Sequence, residues 1–299
     1  MERREIHNMT IATMLIGIER RMAGLRRKSV HAGDHRIVYS EGGDRNAETV
    51  VLVHGFSASA DSWNRLAGQL TKRYHVIAPD LPGWGESTRS DSASYGYPVQ
   101  VERLHQFVEQ LGLKQFHLAG HSMGGGISVR YAALYPERVR TLGLVAPHGV
   151  TEPKESELAR CAGKGDNWLV VSSMEGFDRL MKNLFVKRPY VPRSVLKHLA
   201  QQTISRSAKT QRIFDEIHSN SPLQEELKQI KAPTFIVWGN DDKLVHVSAA
   251  EVFRSGIKDS EVLIMKETGH MPLLENVRQC GAAYLAFIKK ERGAKEASA

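Results

Sequence analysis

A serine flanked by glycines is the first feature of the sequence that could perform chemistry. The pentapeptide 120–124, Gly-His-Ser-Met-Gly, follows a short apolar run and precedes a segment with helical spacing. A Gly-x-Ser-x-Gly motif between a strand and a helix is typical of a nucleophile elbow, a strained turn that exposes the serine oxygen. Glycines are needed there because side chains would collide with the neighbouring strand or helix. We therefore predict that Ser122 is a nucleophile and that Gly120, His121 and Gly124 shape its turn.

A serine hydroxyl needs a base to remove its proton at neutral pH, and a carboxylate must orient that base. His270 is the one histidine among 13 that directly follows the last predicted strand, so its loop can reach the active edge of a sheet. The carboxylate is expected at the end of the preceding strand, where Asp241 and Asp242 both occur. On the residues alone, either aspartate could orient His270.

The loop after the first buried strand could supply an oxyanion hole. His54-Gly55-Phe56 follows the apolar run Val50-Val51-Leu52-Val53. We expect the main-chain N–H of Phe56 and that of Met123 to face the negative charge that develops on an attacked carbonyl oxygen. Each such donor contributes on the order of 3 kcal/mol in acyl transfer. His54 itself is expected to hydrogen-bond within its loop and to have a structural role.

The elements that position these residues alternate between short apolar runs and helical patterns from about residue 35. This alternation is typical of βαβ units, and it predicts an α/β fold with a mostly parallel sheet flanked by helices. The predicted strands are Thr49–Val53, His75–Ala78, Phe116–Ala119, Leu142–Ala146, Thr234–Trp238 and Val262–Met265. The predicted helices are Asp61–Lys72, Pro98–Leu111, Met123–Leu134, Val247–Ile257 and Leu273–Lys289.

Residues 148–231 interrupt this alternation, because their apolar residues recur at intervals of three and four. The pattern predicts a helical cap, inserted between two parts of the core at 31–147 and 232–290. A helical excursion over the carboxyl ends of parallel strands is well placed to act as a lid. We expect some apolar residues of the cap to line an acyl-chain pocket against the sheet. The candidates are Trp168, Leu169, Phe177, Leu180, Met181 and Phe185.

The two ends of the chain are basic. Residues 1–28 carry a formal charge of +4 and residues 289–299 carry +2, out of a total of +8. A nucleic-acid-binding protein would be expected to carry a basic stripe on its folded body, so we predict no nucleic-acid partner. We also infer no obligate protein partner, and we treat 291–299 as a C-terminal tail.

Residues 1–30 are predicted to form a basic amphipathic helix. Its apolar stripe consists of Ile11, Leu15, Ile18, Met22 and Leu25. The apolar run is about eight residues long, well short of the roughly 18 that span a bilayer. Charged residues follow it, so we predict no cleavable signal peptide. The helix either binds a membrane surface peripherally through residues 1–28 or packs on the body of the protein, which leaves a cytoplasmic and a membrane-associated location both open.

No pattern in the sequence indicates a metal or cofactor. Two cysteines exclude a disulfide scaffold and a four-cysteine zinc site. Gly83-Trp84-Gly85 lacks the third glycine and the helix start of a dinucleotide-binding motif, and no His-Glu-x-x-His or phosphate-binding P-loop occurs. We therefore predict an enzyme that uses side chains and main-chain groups alone.

Several segments together resemble the α/β-hydrolase superfamily over roughly residues 35–290. They are His-Gly-Phe-Ser-Ala-Ser-Ala-Asp-Ser-Trp at 54–63, Asp-Leu-Pro-Gly-Trp-Gly-Glu-Ser at 80–87 and Gly-His-Ser-Met-Gly-Gly at 120–125, with Trp238-Gly239 and Gly269-His270. The spacing and the helical cap look most like bacterial lipases and membrane-associated monoacylglycerol lipases. The family's Trp-Gly-x-x-Asp pattern implies that the acid is Asp242. The resemblance implies hydrolysis of acyl-lipid or medium-chain carboxylic esters through an acyl-enzyme on Ser122.

Two other functions remain open at this stage. Carbon-carbon bond hydrolases use the same three residue types, although their usual Gly-Pro-Gly after the first His-Gly is replaced here by Ser57-Ala58-Ser59. A receptor-like hydrolase fold that retains its ligand is the second alternative, and a complete Ser-Asp-His set favours an enzyme over it. Ser122 excludes the related dehalogenases and epoxide hydrolases, which use an aspartate nucleophile.

Overall fold

The computed structural model describes residues 10–219 and 222–298. The strands within these residues are β1 (Leu25–Ala32), β2 (His35–Gly42), β3 (Thr49–Val53), β4 (His75–Pro79), β5 (Phe116–His121), β6 (Val139–Val145), β7 (Thr234–Gly239) and β8 (Ser260–Met265). They form one sheet in the order β1-β2-β4-β3-β5-β6-β7-β8. From β4 to β8 all neighbours in the sheet are parallel, whereas β2 pairs antiparallel with both β1 and β4. The predicted α/β class and all six predicted strands are confirmed.

The helices cover both faces of the sheet. Within the described residues they are α1 (Ile11–Met22), α2 (Asn64–Leu70), α3 (Tyr97–Gln110), α4 (Met123–Leu134), α5 (Glu157–Ala162), α6 (Met174–Leu184), α7 (Arg193–Ile204), α8 (Ser207–Ser219), α9 (Gln224–Leu227), α10 (Ala249–Gly256), α11 (Pro272–Glu275) and α12 (Val277–Ser298). Successive side chains of β3 point to opposite faces of the sheet and pack against different helices. Val51 and Val53 pack with α3, α4 and α10, whereas Val50 and Leu52 pack with α2, α11 and α12. Burial on both faces explains why β3 is apolar from Val50 to Val53.

The predicted extent of the N-terminal helix is wrong. The N-terminal helix was expected to extend to residue 30, but α1 ends at Met22 and Leu25 begins strand β1. Gly24 adopts a φ of +74°, which turns the chain out of the helix, and the buried Leu25 side chain anchors the strand. At the other end, α12 continues through most of the segment expected to be a tail. Residues 1–9 of the predicted N-terminal helix lie outside the described part.

The cap consists of α5 to α9 and has a small apolar core of its own. Trp168, Phe177 and Leu180 are buried there together with Ala200 and Leu244. The helix α8 is different, because its Ile213 and Ile217 are buried in the main core beneath the cap. The cap is therefore held on the body by α8 and α9, and its helix α7 packs against α1.

Candidate active site

The elbow at Ser122 has the geometry that its sequence predicts. Ser122 lies between β5 and α4 with φ +52° and ψ −120°, a strained conformation for a residue with a side chain. A Cβ added to Gly120 would lie 2.2 Å from the carbonyl oxygen of Gly124. One added to Gly124 would lie 2.3 Å from the carbonyl oxygen of Val53. Both glycines are required because the turn packs directly against the main chain.

Asp242 and His270 are brought together from loops 28 residues apart. His270 Nδ1 donates a hydrogen bond to Asp242 Oδ2 at 2.7 Å, and both side chains are buried. The carboxylate also accepts hydrogen bonds from the indole N–H of Trp238 at 3.1 Å and from the main-chain N–H of Leu244 at 2.8 Å. The neighbouring Asp241 is exposed. Of the two aspartates, Asp242 is therefore the one that can orient His270.

His121 connects the elbow to the histidine loop. Its Nε2 donates a hydrogen bond to the main-chain carbonyl of His270 at 2.9 Å, and the two rings lie 4.9 Å apart. Burial, and to a lesser extent the His270 ring, lowers the pKa of His121 to about 3. His121 is therefore neutral at physiological pH and acts as a fixed hydrogen-bond donor. The sequence predicted His121 as part of the turn, but this second contact, with a residue 149 positions away, has no local signal.

The loop after β3 provides the second candidate oxyanion donor. Phe56 and Met123 both line the cavity that contains Ser122. Met123 is the first residue of α4, so its N–H has no acceptor within the helix. His54 is fully buried; its Nε2 accepts from the main-chain N–H of Leu81 at 2.9 Å and its Nδ1 donates to the carbonyl of Gly55 at 2.8 Å. His54 thus has the loop-bracing role expected from the sequence.

A cavity of about 630 Å³ lies between the sheet and the cap, with Ser122 and His270 in its wall. Its apolar lining residues include Leu158, Leu169, Phe214, Ile217, Leu244 and Val245. Its polar lining residues include His148, Thr151, Glu152, Glu155, Ser156 and His218. A ligand that combines an apolar chain with polar groups matches this mixed lining.

The cap contributes to this cavity with different residues from most of those predicted. Of the six apolar candidates only Leu169 lines it. Trp168, Phe177 and Leu180 instead form the cap's own core, because its helices must first bury their apolar faces against one another. A separate groove of about 680 Å³ between α6 and α7 is lined by Phe177 and other residues but by none of Ser122, Asp242 and His270.

Glu152 joins the start of the cap to the loop that carries Asp242. Its carboxylate accepts hydrogen bonds from the main-chain N–H of Ser156 at 2.9 Å and of His246 at 3.2 Å. Burial raises the pKa of Glu152, and the charge of Asp242 acts in the same direction. The Glu152 side chain therefore connects the first residues of the cap to the loop that contains Asp242 and His246.

His148 is a residue of the cavity that sequence reasoning missed. It lies three residues after Val145, the last residue of β6, at the carboxyl edge of the sheet. The available signal was an aromatic polar residue in the loop that follows this strand. Its main-chain N–H donates to the carbonyl of Ser122 at 3.0 Å, so it lies beside the elbow. Among the residues described, no group of three or more His, Cys, Asp or Glu side chains could hold a metal ion.

The sequence pattern of the alpha/beta hydrolase fold family matches residues 48–277. The chain belongs to this family. The match includes the elbow, both candidate oxyanion donors, the acid, the histidine and the cap of this α/β-hydrolase.

Relatives of this α/β-hydrolase cover most of its length. It is 34% identical over 278 residues to Lipase 1 of Psychrobacter immobilis, which covers 91% of this chain and 87% of the relative. It is 33% identical over 282 residues to monoacylglycerol lipase ABHD6 of Rattus norvegicus, covering 90% and 84% of the two chains. Among solved structures, a bacterial membrane phospholipase A superposes with a TM-score of 0.92 at 39% identity, covering 94% of this chain and 93% of the other.

Proposed function

We propose that this α/β-hydrolase cleaves the carboxylic ester bonds of acyl lipids through an acyl-enzyme on Ser122. The observation that carries the proposal is the buried Asp242–His270 hydrogen bond in the wall of the same cavity as Ser122. The names of the relatives, lipases and monoacylglycerol lipases, support ester substrates. They do not favour the carbon-carbon bond hydrolases considered from the sequence.

Each group has a defined part in the proposed reaction. His270 Nε2 takes the proton of Ser122 as Oγ attacks the ester carbonyl, and Asp242 stabilises the imidazolium through Nδ1–H. The N–H groups of Phe56 and Met123 stabilise the tetrahedral oxyanion. When the C–O bond breaks, His270 returns the proton to the leaving alcohol. Water, activated by the same histidine, then adds to the acyl-enzyme and releases the carboxylic acid and free Ser122.

The substrate preference follows from the apolar wall of the cavity. An acyl chain that lies against Leu158 and Leu169 loses contact with water, and each buried methylene contributes roughly 0.8 kcal/mol. We therefore expect kcat/KM to rise from acetate to medium-chain esters. Retention of p-nitrophenyl acetate as the best substrate would contradict an acyl-lipid role.

The nucleophile is tested by Ser122→Ala. We expect esterase activity on p-nitrophenyl octanoate to fall by about 10⁴ to 10⁶ while the melting temperature is retained, because alanine cannot form an acyl-enzyme. Trapping the octanoyl group on the wild-type protein by acid quench and locating it by peptide mass spectrometry gives an independent measurement. An acyl group on another residue, or near-normal turnover by Ser122→Ala, would refute the proposal.

We further propose that α1 and the adjacent part of the cap dock on an anionic membrane surface. Ile11, Met14, Ile18 and Met22 recur along one side of α1 and are 42–83% exposed. The helix packs against α7, whose Leu199 is also exposed. These five residues form what we call the α1 face. The described part of the chain contains no helix that is long and apolar enough to cross a membrane.

Charge and anchoring both support a surface-bound helix. Arg21 and Arg26 are exposed near the α1 face, and each basic residue contributes roughly 1 kcal/mol near an anionic membrane. The opposite side of α1 is held by the protein, since Arg20 binds Asp61 at 2.8 Å and Glu19 accepts from Arg65 at 2.8 Å. An enzyme acting on lipid esters gains from docking where its substrate is dissolved.

The docking proposal is tested by substitutions, because deletion of residues 1–28 would remove the start of β1. Replacing Ile11, Met14, Ile18 and Met22 together by serine should weaken binding to phosphatidylglycerol vesicles by about tenfold or more. Hydrolysis of soluble p-nitrophenyl butyrate should be retained. The matched control is Leu134→Ser with Ile264→Ser, which removes exposed apolar groups outside the α1 face. Equal vesicle binding by both variants and the wild type would refute the proposal.

A further inference from the structure

Three side chains form a polar corner of the substrate cavity that the proposed reaction does not use. Tyr97 Oη lies 2.7 Å from His148 Nδ1, and the His148 ring lies 4.9 Å from the ring of His218. Both histidines line the cavity that contains Ser122. Tyr97 is fully buried, and its ring fits over Gly126, where an added Cβ would lie 2.6 Å from the phenol oxygen. The missing side chain at Gly126 allows Tyr97 to reach His148.

The hydrogen bonds determine which nitrogen of each ring carries the proton. His218 Nδ1 lies 2.9 Å from the carbonyl of Phe214, which can only accept, so the proton is on Nδ1 and Nε2 is an acceptor. The buried Tyr97 O–H has His148 Nδ1 as its acceptor within the described residues, and leaving that O–H unpaired would be unfavourable. Tyr97 therefore donates to Nδ1, which puts the His148 proton on Nε2.

Both rings remain neutral at physiological pH, so these tautomers persist. Burial, followed by the nearby His218 and His270, lowers the pKa of His148 to about 3. Burial also lowers the pKa of His218, although the Phe214 carbonyl and the charge of Asp215 oppose this. The corner thus offers one N–H donor at His148 and one lone-pair acceptor at His218. A hydroxyl group, which both accepts and donates, matches this pair.

The leaving alcohol must lie beside His270, because His270 protonates its oxygen. His148 and His270 both line the cavity that contains Ser122. The main-chain N–H of His148 also contacts the carbonyl of Ser122 at 3.0 Å. The apolar residues Leu158 and Leu169 of the cap are available to the acyl chain instead.

We propose that His148 and His218 form a subsite for a free hydroxyl of the alcohol half of the ester, as in a monoacylglycerol, with Tyr97 as the residue that fixes the tautomer of His148. In this subsite the hydroxyl accepts from His148 Nε2–H and donates to His218 Nε2. The inference rests on the proposed ester hydrolysis at Ser122, and it adds that the enzyme selects esters whose alcohol carries a second hydroxyl.

A matched pair of esters isolates this contact. 2-Hydroxyethyl octanoate and propyl octanoate have the same acyl chain and nearly the same alcohol size, but only the first carries a hydroxyl. We expect the wild-type ratio of kcat/KM, hydroxyethyl to propyl, to be about ten, and His148→Phe to reduce it to about one. His218→Leu should reduce it similarly. Tyr97→Phe should reduce the ratio by about threefold, because the His148 proton is then no longer held on Nε2 by a hydrogen bond to Nδ1.

The controls separate a lost contact from damaged structure. His198→Phe makes the same change on α7, outside the residues that line the cavity, and should leave the ratio unchanged. Each ratio compares two esters with the same variant. Partial unfolding therefore lowers kcat/KM for both esters by the same factor and leaves the ratio unchanged. Tyr97→Phe removes a single atom, and it keeps the test valid if His148→Phe does not fold.

Three results would count against the subsite in distinguishable ways. Equal ratios in the wild type and in all three subsite variants, with normal hydrolysis of propyl octanoate, would overturn the subsite alone. A change confined to the ratio of methyl 8-hydroxyoctanoate to methyl octanoate would overturn its placement on the alcohol side. Absence of Ser122-dependent hydrolysis of every octanoate ester would overturn both the subsite and the proposed function.

Discussion

The residue before the candidate nucleophile holds the loop of the candidate base: His121 Nε2 donates to the main-chain carbonyl of His270 at 2.9 Å. This contact joins the end of β5 to the loop after β8, which are 149 residues apart in sequence. It makes the separation of Ser122 and His270 depend on a buried, neutral ring rather than on loop conformation alone.

Replacement of His121 by leucine should lower kcat more than it raises KM. The substitution removes the hydrogen bond from His121 to the carbonyl of His270, so the His270 loop can shift. Small displacements of reacting groups lower rates by about tenfold to a hundredfold. His121→Gln retains an N–H donor and should recover part of the activity. Steady-state kinetics on p-nitrophenyl octanoate provide the measurement. A pure KM effect would show that His121 shapes the substrate cavity instead.

Asp242→Asn should reduce kcat by about 10⁴, because the amide cannot stabilise the His270 imidazolium and favours the wrong tautomer. Asp241→Asn is the matched control, since it makes the same change on the neighbouring exposed residue. It should leave kcat within a few fold of the wild type. The reverse ranking would assign the acid to Asp241.

Gly239 is expected to be intolerant of alanine. A Cβ there would lie 2.2 Å from the carbonyl oxygen of Gly269 and 2.3 Å from that of Thr268, both in the loop that carries His270. The loop must move outward, so Gly239→Ala should lower both kcat and stability, the latter by about 1 to 3 kcal/mol. Gly17→Ala is the control, because an added Cβ there meets no atom within 4 Å. Urea unfolding and kinetics measure the two effects.

Glu41 should make the β1–β2 hairpin sensitive to acid. Burial alone would raise the pKa of Glu41, but hydrogen bonds from Lys28, Arg45 and His75 outweigh it and lower the pKa from 4.5 to about 2. A depressed pKa in the folded state stabilises the protein above the ordinary pKa, and this contribution is lost as the pH falls from about 4.5 towards 2.

We therefore expect Glu41→Gln to lower the free energy of unfolding by about 2 kcal/mol at pH 7, allowing for solvent screening of its partners. The difference from the wild type should shrink as the pH falls. Glu251→Gln is the control: the pKa of Glu251 is also about 2, yet its pair with Arg254 is exposed to solvent, so a smaller change is expected. A constant difference at all pH values would exclude a charge effect.

The sequence alone determined the parts of this protein that depend on local pattern. The elbow at Ser122, the apolar strands and the position of His270 after the last strand are each readable within a few residues. A turn that must expose an oxygen needs glycines beside it, and a strand buried on both faces needs continuous apolar residues. The choice of Asp242 required the family resemblance, because two adjacent aspartates have the same local pattern.

The tertiary structure decided what depends on distant partners. The hairpin of β1 and β2 was not predicted, because β1 is mostly polar and neither strand shows a regular alternation; β2 is held in the sheet by pairing with β4, and β1 by pairing with β2. The helical spacing of the apolar cap residues predicts that they are buried, but it does not show whether they lie in the core of the cap or in the wall of the cavity. The polar corner is a further example. His148 is 51 positions after Tyr97 and 70 positions before His218, and no local pattern marks any of the three residues. Only the packing of α3, α4 and α8 at one edge of the sheet brings them together, because side-chain contacts between distant elements are set by the whole core.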